Sequence, residues 1–197
     1  MNPPFPTPGM LLSVLLVSEL FLMRSRLSSD SERTADRGSL RLLMAIIFIS
    51  VVLAWLVGRA LPEARLAALL SLDPAAITLV HWIGVGVFAA GLGLRWWAIA
   101  WLGRLFTFDV SIAADHRVID TGPYRLVRHP AYTGSILSFA GIGLCGGNVV
   151  SLLLLVVPIT LAFLRRIAIE EAALVSALGP DYLDYASRTK RLVPYVY

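Results

Sequence analysis

The stretch LLMAIIFISVVLAWLVG, residues 42–58, carries no charge and a single hydroxyl. Such a run has one home, the hydrocarbon of a bilayer, where backbone groups must be satisfied internally and the helix is the simple solution. Crossing that layer takes about 20 helical residues. Five candidate spans can be read: Pro8–Leu27 with Glu19 near its end, Leu40–Leu61, Ile77–Leu102, Ala131–Gly147, and one from Val149 past Arg165. Composition agrees, with 57% hydrophobic and only 15% charged residues, against roughly 25% charged in soluble domains. The fold expected is an all-α integral membrane protein with about five transmembrane helices and a cytoplasmic C-terminal helical extension.

Basic residues orient the spans. Arg24, Arg26, Arg33, Arg37 and Arg41 fall between spans one and two, and Arg104, Arg117, Arg125 and Arg128 between three and four. Arg165, Arg166, Arg188, Lys190 and Arg191 follow span five, while the other side holds only Arg59 and Arg65. A split of fourteen to two puts the N-terminus outside and the C-terminus in the cytoplasm. Trp96, Trp97 and Trp101 then mark the cytoplasmic interface. The sequence pI of 9.6 does not imply nucleic-acid binding, because the arginines cap apolar runs and do not line a polar face. The lone Cys145 excludes an internal disulfide and reads as a packing residue, and no Cys/His cluster offers metal-ligand spacing. The start MNPPFPTPGMLL lacks the basic region of a cleaved signal peptide.

Gly86, Ala90 and Gly93 on span three and Gly134, Ser138 and Gly141 on span four are expected to let helices approach closely. Gly146-Gly147-Asn148 leaves room only for a tight hairpin between spans four and five. Pro158 is expected to kink span five. Ser28–Ser39 reads as a solvated linker. The chain divides into an N-terminal part, 1–102, holding spans one to three, and a part 103–197 holding the chemistry.

That chemistry is concentrated in two places. The first is GPYRLVRHPAYTG, residues 122–134. Gly122-Pro123 is turn chemistry, and Pro130 suits the first turn of span four. Arg128 and His129 therefore sit at a positive helix end, which favours an anion. Arg125 could equally anchor anionic headgroups, a reading that fits Arg128-His129-Pro130 less well because an anchor does not need such dense Gly/Pro punctuation, and Tyr124 and Tyr132 could be interface tyrosines.

The second is residues 165–195, where the helix is expected to run to Leu178 and stop at Gly179-Pro180. Glu171 shares an apolar stripe with Ile167, Leu174 and Leu178, so it needs a cation or donors. Glu170 can pair with Arg166, four residues earlier.

Together, 102–134 and 170–194 resemble the isoprenylcysteine carboxyl methyltransferase family, related to integral-membrane phospholipid methyltransferases. The shared motifs are G-x-Y-x-x-x-R-H-P-x-Y-x-G and E-E-x-x-L-x-x-x-x-G-x-x-Y-x-x-Y. The resemblance implies S-adenosyl-L-methionine as cofactor, held by Tyr124, His129, Pro130, Tyr132, Glu170, Glu171, Tyr182 and Tyr185. It implies a substrate carboxylate handled by Arg128 and Arg188, with Arg191 as a further candidate, and a catalytic group of Arg128, Arg188 and Glu171. The acceptor would be lipid-borne and enter from the bilayer. No Gly-rich strand-to-helix loop of the G-x-G-x-x-G kind used by soluble nucleotide-binding folds is read, since the string GIGLCG, residues 141–146, lies inside span four. The activity expected is O-methylation of a prenylcysteine-like or other lipid carboxylate. Methylation of a lipid amine or phenol-like hydroxyl, and a non-catalytic scaffold for anionic lipid, are the alternatives. No metal and no nucleic acid are expected as partners.

Overall fold

The structure, a computed structural model, describes residues 5–26, 37–106 and 117–194. The expected solvated linker over Ser28–Ser39 lies mostly outside these residues, as do Arg33 and residues 107–116; the linker's last three residues, 37–39, instead open α2, and Ser39 is buried there because it accepts from Arg166 of α6. The regular elements described are helices: α1 (Pro8–Arg26), α2 (Arg37–Ala60), α3 (Leu66–Leu69), α4 (Pro74–Leu102), α5 (Pro130–Gly146), α6 (Val149–Leu178) and α7 (Pro180–Arg188).

The helix ends follow from local chemistry. Pro8, Pro74, Pro130 and Pro180 each open a helix, where the missing N–H costs nothing and φ is already helical. Asp73 accepts from Ala76 N at 2.7 Å and Asn148 from Ser151 N at 3.0 Å, capping α4 and α6. Asn148 Nδ2 also donates to Leu61 O at 2.8 Å, which ties the end of α2 to the α5–α6 turn. As expected, α6 ends at Leu178 and the chain breaks at Gly179. It runs as one helix through Pro158.

Among the described residues, three helices are long and apolar enough to cross a membrane: Gly38–Ala60, Pro74–Leu102 and Val149–Leu178. The other two expected spans form helices at the expected places. However, α5 has only 17 residues, and α1 carries Ser13, Ser18, Glu19 and Arg24 among its apolar residues.

The tightest contact joins α4 to α5. A Cβ added to Gly91 would lie 2.6 Å from the Gly134 carbonyl oxygen, and one on Gly134 would lie 2.5 Å from that of Gly91. One turn-pair away, Gly141 faces the Gly84 carbonyl at 2.6 Å. Backbones this close admit only glycine. This corrects the expectation for span three: Gly86, Ala90 and Gly93 lie on the exposed face of α4, and Gly86 and Gly93 meet nothing within 4 Å. The contacting set is shifted by two residues, about 200° around a helix, which puts it on the opposite side. On span four, Gly134, Ser138 and Gly141 are buried as expected.

The α5–α6 turn is tight, yet α5 packs more extensively on α4, and α6 on α2. Ser151 Oγ donates to Ala54 O at 2.7 Å across the α2–α6 contact. Of the three interface tryptophans, Trp97 and Trp101 are exposed. Trp96 is half-buried and donates from Nε1 to Ser18 Oγ of α1 at 2.7 Å.

Candidate functional site

The starts of α5 and α7 and the last turns of α6 lie at one end of the bundle. Their approach is fixed by a short parallel pairing: Val127 bridges Lys190, Arg128 N donates to Lys190 O at 2.7 Å, and His129 N donates to Arg191 O at 3.0 Å. Thr133 Oγ1 adds a bond to Leu192 O at 2.9 Å. The loop before α5 and the tail after α7 are thereby bound backbone to backbone.

Gly122 opens the loop with φ 59°, and a Cβ there would collide with the Trp101 ring. Only glycine satisfies both demands. Tyr124, in the 3-10 turn Gly122–Arg125, is buried and donates to Ala98 O of α4 at 3.4 Å. Tyr185 of α7 donates to Tyr124 O at 2.7 Å. Burial pushes the Tyr185 hydroxyl up to about 12 and raises those of Tyr124 and Tyr182 as well. All three hydroxyls remain protonated at neutral pH.

Glu171 is the centre of the cluster. Its Oε1 accepts from Arg128 Nε at 2.8 Å and lies 3.2 Å from His129 Nε2. Its Oε2 meets Arg191 Nε at 2.9 Å and Nη2 at 2.8 Å. A carboxylate only 12% exposed is tolerable with such compensation. The anion expected at the opening of α5 is thus met, in this structure, by the chain's own Glu171. Arg128 Nη1 donates to the carbonyls of Ala186 (2.8 Å) and Thr189, so this guanidinium also braces the end of α7.

A second chain of bonds runs beside the first. Tyr132 donates to Glu170 Oε2 at 2.7 Å, and Arg166 Nε donates to the Tyr132 oxygen at 3.1 Å. Arg166 Nη1 continues to Ser39 Oγ of α2 at 2.9 Å. Glu170 and Arg166, expected as a direct pair, therefore meet on the Tyr132 hydroxyl. The Tyr132 ring stacks between His129 and Phe163, at centroid distances of 5.6 and 5.0 Å.

Arg128, His129, Tyr132, Glu170 and Glu171 are thus brought together, with Tyr124, Pro130, Tyr182 and Tyr185 packed as their buried frame. Arg188 stands apart. It is 57% exposed and pairs with Asp184 at 3.1 Å and Asp120 at 3.7 Å. These three line an open cleft of about 610 Å³ with Arg117, Leu178 and Asp181. Arg191, the other candidate, joins Glu171 instead. Arg166 was legible in the sequence only as a helix-surface partner, because its long-range contacts with Tyr132 and Ser39 have no spacing signature.

The two motif halves, 122–134 and 170–185, meet through Arg128, His129 and Glu171 at the ends of α5 and α6. The sequence profile of the phospholipid methyltransferase family matches residues 79–181, which take in most of α4, the motif loop, α5 and α6. The chain belongs to that family. It is a membrane methyltransferase by that membership. Protein-S-isoprenylcysteine O-methyltransferase B of Arabidopsis thaliana is 29% identical over 140 residues, covering 61% of this chain and 71% of the relative. Its A counterpart is 34% identical over 122 residues, covering 59% and 62%. The chain thus spans less than two thirds of the second relative. The solved structure of a eukaryotic intramembrane Ras methyltransferase, isoprenylcysteine carboxyl methyltransferase, superposes with a TM-score of 0.69 at 22% identity. It covers 98% of this chain and 69% of that one, and shows that the fold is shared.

Proposed function

We propose that this methyltransferase uses S-adenosyl-L-methionine to methylate the carboxylate of a prenylated cysteine or closely similar lipid acid, at the cytoplasmic membrane face. The observation that carries the reading is the ionic cluster around Glu171, built from both motif halves at one end of the bundle. The named activity of the Arabidopsis relatives supports the acceptor class.

The donor set suits this cofactor. Its ammonium and ribose hydroxyls need carboxylate acceptors, which Glu170 and Glu171 supply. Its own carboxylate needs cationic donors, which the arginines supply. The cofactor brings a sulfonium-bound methyl group that a carboxylate oxygen can accept without prior deprotonation. The chain therefore has to align and desolvate the acceptor, more than to move protons.

In this reading Arg128 organises the site, holding Glu171 and the end of α7 with one guanidinium. Arg191, whose side chain is 37% exposed, is the guanidinium best able to turn to an incoming carboxylate. The stacking of Tyr132 between His129 and Phe163 fixes the directions in which His129 and Tyr132 present their polar atoms to Glu171 and Glu170. The lipid chain of the acceptor lies in the bilayer beside the helices, and the soluble cofactor reaches the cluster from the cytoplasm.

The test is methyl transfer by the purified protein in lipid nanodiscs, with methyl-labelled S-adenosylmethionine. An S-farnesylated cysteine with a free carboxylate is expected to take up base-labile label. The same compound with an amidated carboxylate is expected to take up none. Label on phosphatidylethanolamine instead would replace the proposed acceptor with a lipid amine.

A further inference from the structure

Arg95 is a charged residue 5% exposed on α4, seven residues from the helix end, or about 10 Å along the axis. Its partner is Glu19 of α1. The two meet side-on, Nε to Oε1 and Nη2 to Oε2, each at 2.5 Å. The third contact reaches the motif region, with Arg95 Nη1 donating to Ala131 O at 3.2 Å. Ala131 follows Pro130 in the opening turn of α5, between His129 and Tyr132.

A buried ion pair in an apolar setting is expensive and rarely improves stability over apolar packing. Within a span, such a pair marks function by default. Here the carbonyl it holds belongs to the turn that carries the catalytic cluster. α1 contributes no motif residue, and the family profile starts at residue 79, beyond α1 and α2. The geometry points to a role for α1 in the reaction: we propose that Glu19 and Arg95 are positioning residues, which fix the Ala131 carbonyl and so the direction in which α5 presents His129 and Tyr132.

The proposal rests on the methyl-transfer reading of the cluster for its kinetic consequence, but not for its structural one. Glu19→Gln keeps the shape of the side chain and removes the charge. Ser18→Ala is the control. It cuts the Ser18–Trp96 bond, another link between α1 and α4, without touching Arg95.

Two measurements are made on each full-length variant. The first is amide hydrogen exchange over 122–134. Glu19→Gln is expected to speed exchange there, and Ser18→Ala to leave it unchanged. The second is steady-state turnover with farnesylated cysteine, well below the melting temperature. Misplacement of reacting groups by about 1 Å costs on the order of 100-fold, so Glu19→Gln is expected to lower kcat by roughly 10–100-fold. KM for the cofactor is expected to change far less. Glu19→Asp, which restores the charge on a shorter arm, is expected to recover part of kcat. Normal exchange over 122–134 in Glu19→Gln overturns the proposal, as does an equal response in Ser18→Ala. Failure of Glu19→Gln and Glu19→Asp alike to fold would make the pair purely structural. A wild-type protein inactive on every acceptor counts against the proposed function, while the exchange result still decides the role of the pair.

Discussion

Arg191 holds the second oxygen of Glu171 side-on, through Nε at 2.9 Å and Nη2 at 2.8 Å. Arg188, three residues earlier, turns the other way to Asp184. The two arginines of one tail therefore have different tasks. A partly desolvated charged hydrogen bond is worth about 1.5–3 kcal/mol, or on the order of 10–150-fold in kcat/KM. Arg191→Gln is expected to fall in that range. Arg188→Gln is expected to cost less than about fivefold, since exposed ion pairs contribute about 0–1 kcal/mol. Parallel kinetics on the two variants decide the assignment, and a larger loss in Arg188→Gln reverses it.

Removing the Glu171 charge strands Arg128 and Arg191 beside each other. Taking one partner from a buried ionic cluster costs about 3–5 kcal/mol, so Glu171→Gln is expected to lower the melting temperature and to abolish cofactor binding. Glu170→Gln keeps an acceptor oxygen for Tyr132 and is expected to cost less than about 1.5 kcal/mol. Thermal unfolding and calorimetric titration with S-adenosylmethionine measure both effects. Equal losses in the two variants would show that Glu171 is not the hub.

The glycine faces of α4 give opposite signs. Gly91→Ala and Gly134→Ala insert a methyl into backbone contacts of 2.5–2.6 Å and are expected to destabilise by at least about 1–3 kcal/mol. Gly86→Ala and Gly93→Ala meet open space and are expected to be neutral or to stabilise by about 0.5–1 kcal/mol. Melting temperatures in one detergent compare all four. A destabilised Gly93→Ala would mean that this face is covered in the assembled protein.

Cytoplasmic placement of the cluster is checked by thiol labelling in intact cells, in a Cys145→Ser background. Ser187 and Glu63 are both exposed, at opposite ends of the bundle. Glu63→Cys is expected to react with an impermeant reagent from outside, and Ser187→Cys only after lysis. The reverse pattern would place the cluster outside the cell.

Tyr185 supplies a pH prediction. Its hydroxyl is raised from an ordinary value of 10.0 to about 12, chiefly by burial. The folded chain therefore holds this proton more tightly than the unfolded chain does. The associated stability is fully present below pH 10 and is lost as pH rises toward 12. Tyr185→Phe also loses the bond to Tyr124 O, costing about 0.5–1.5 kcal/mol, and is expected to flatten this alkaline decline. An unchanged alkaline limb would assign the decline to other groups.

Much of this arrangement is written locally. Pro130 opens α5 and Gly179 ends the helix before α7 because φ and backbone donors are fixed by those residues alone. Glu171 was identifiable as a carboxylate in need of cations from its place on an apolar stripe. Which cations answer it was not identifiable. Arg128, Arg188 and Arg191 all carry the same charge in basic, loop-flanked segments, and only the pairing of 127–129 with 190–191 turns Arg191 inward.

The sequence by itself determined where helices start and stop, that the chain lives in lipid, and which residue types meet in its polar cluster. These depend on composition and on neighbours a few residues apart. The tertiary structure decided which face of α4 meets α5, which arginine reaches Glu171, and that Glu19 of α1 pairs with Arg95 of α4. Two glycine sets with similar spacing are equally good candidates in one dimension. Rotating a helix by two residues exchanges them, and only packing against a second backbone tells them apart.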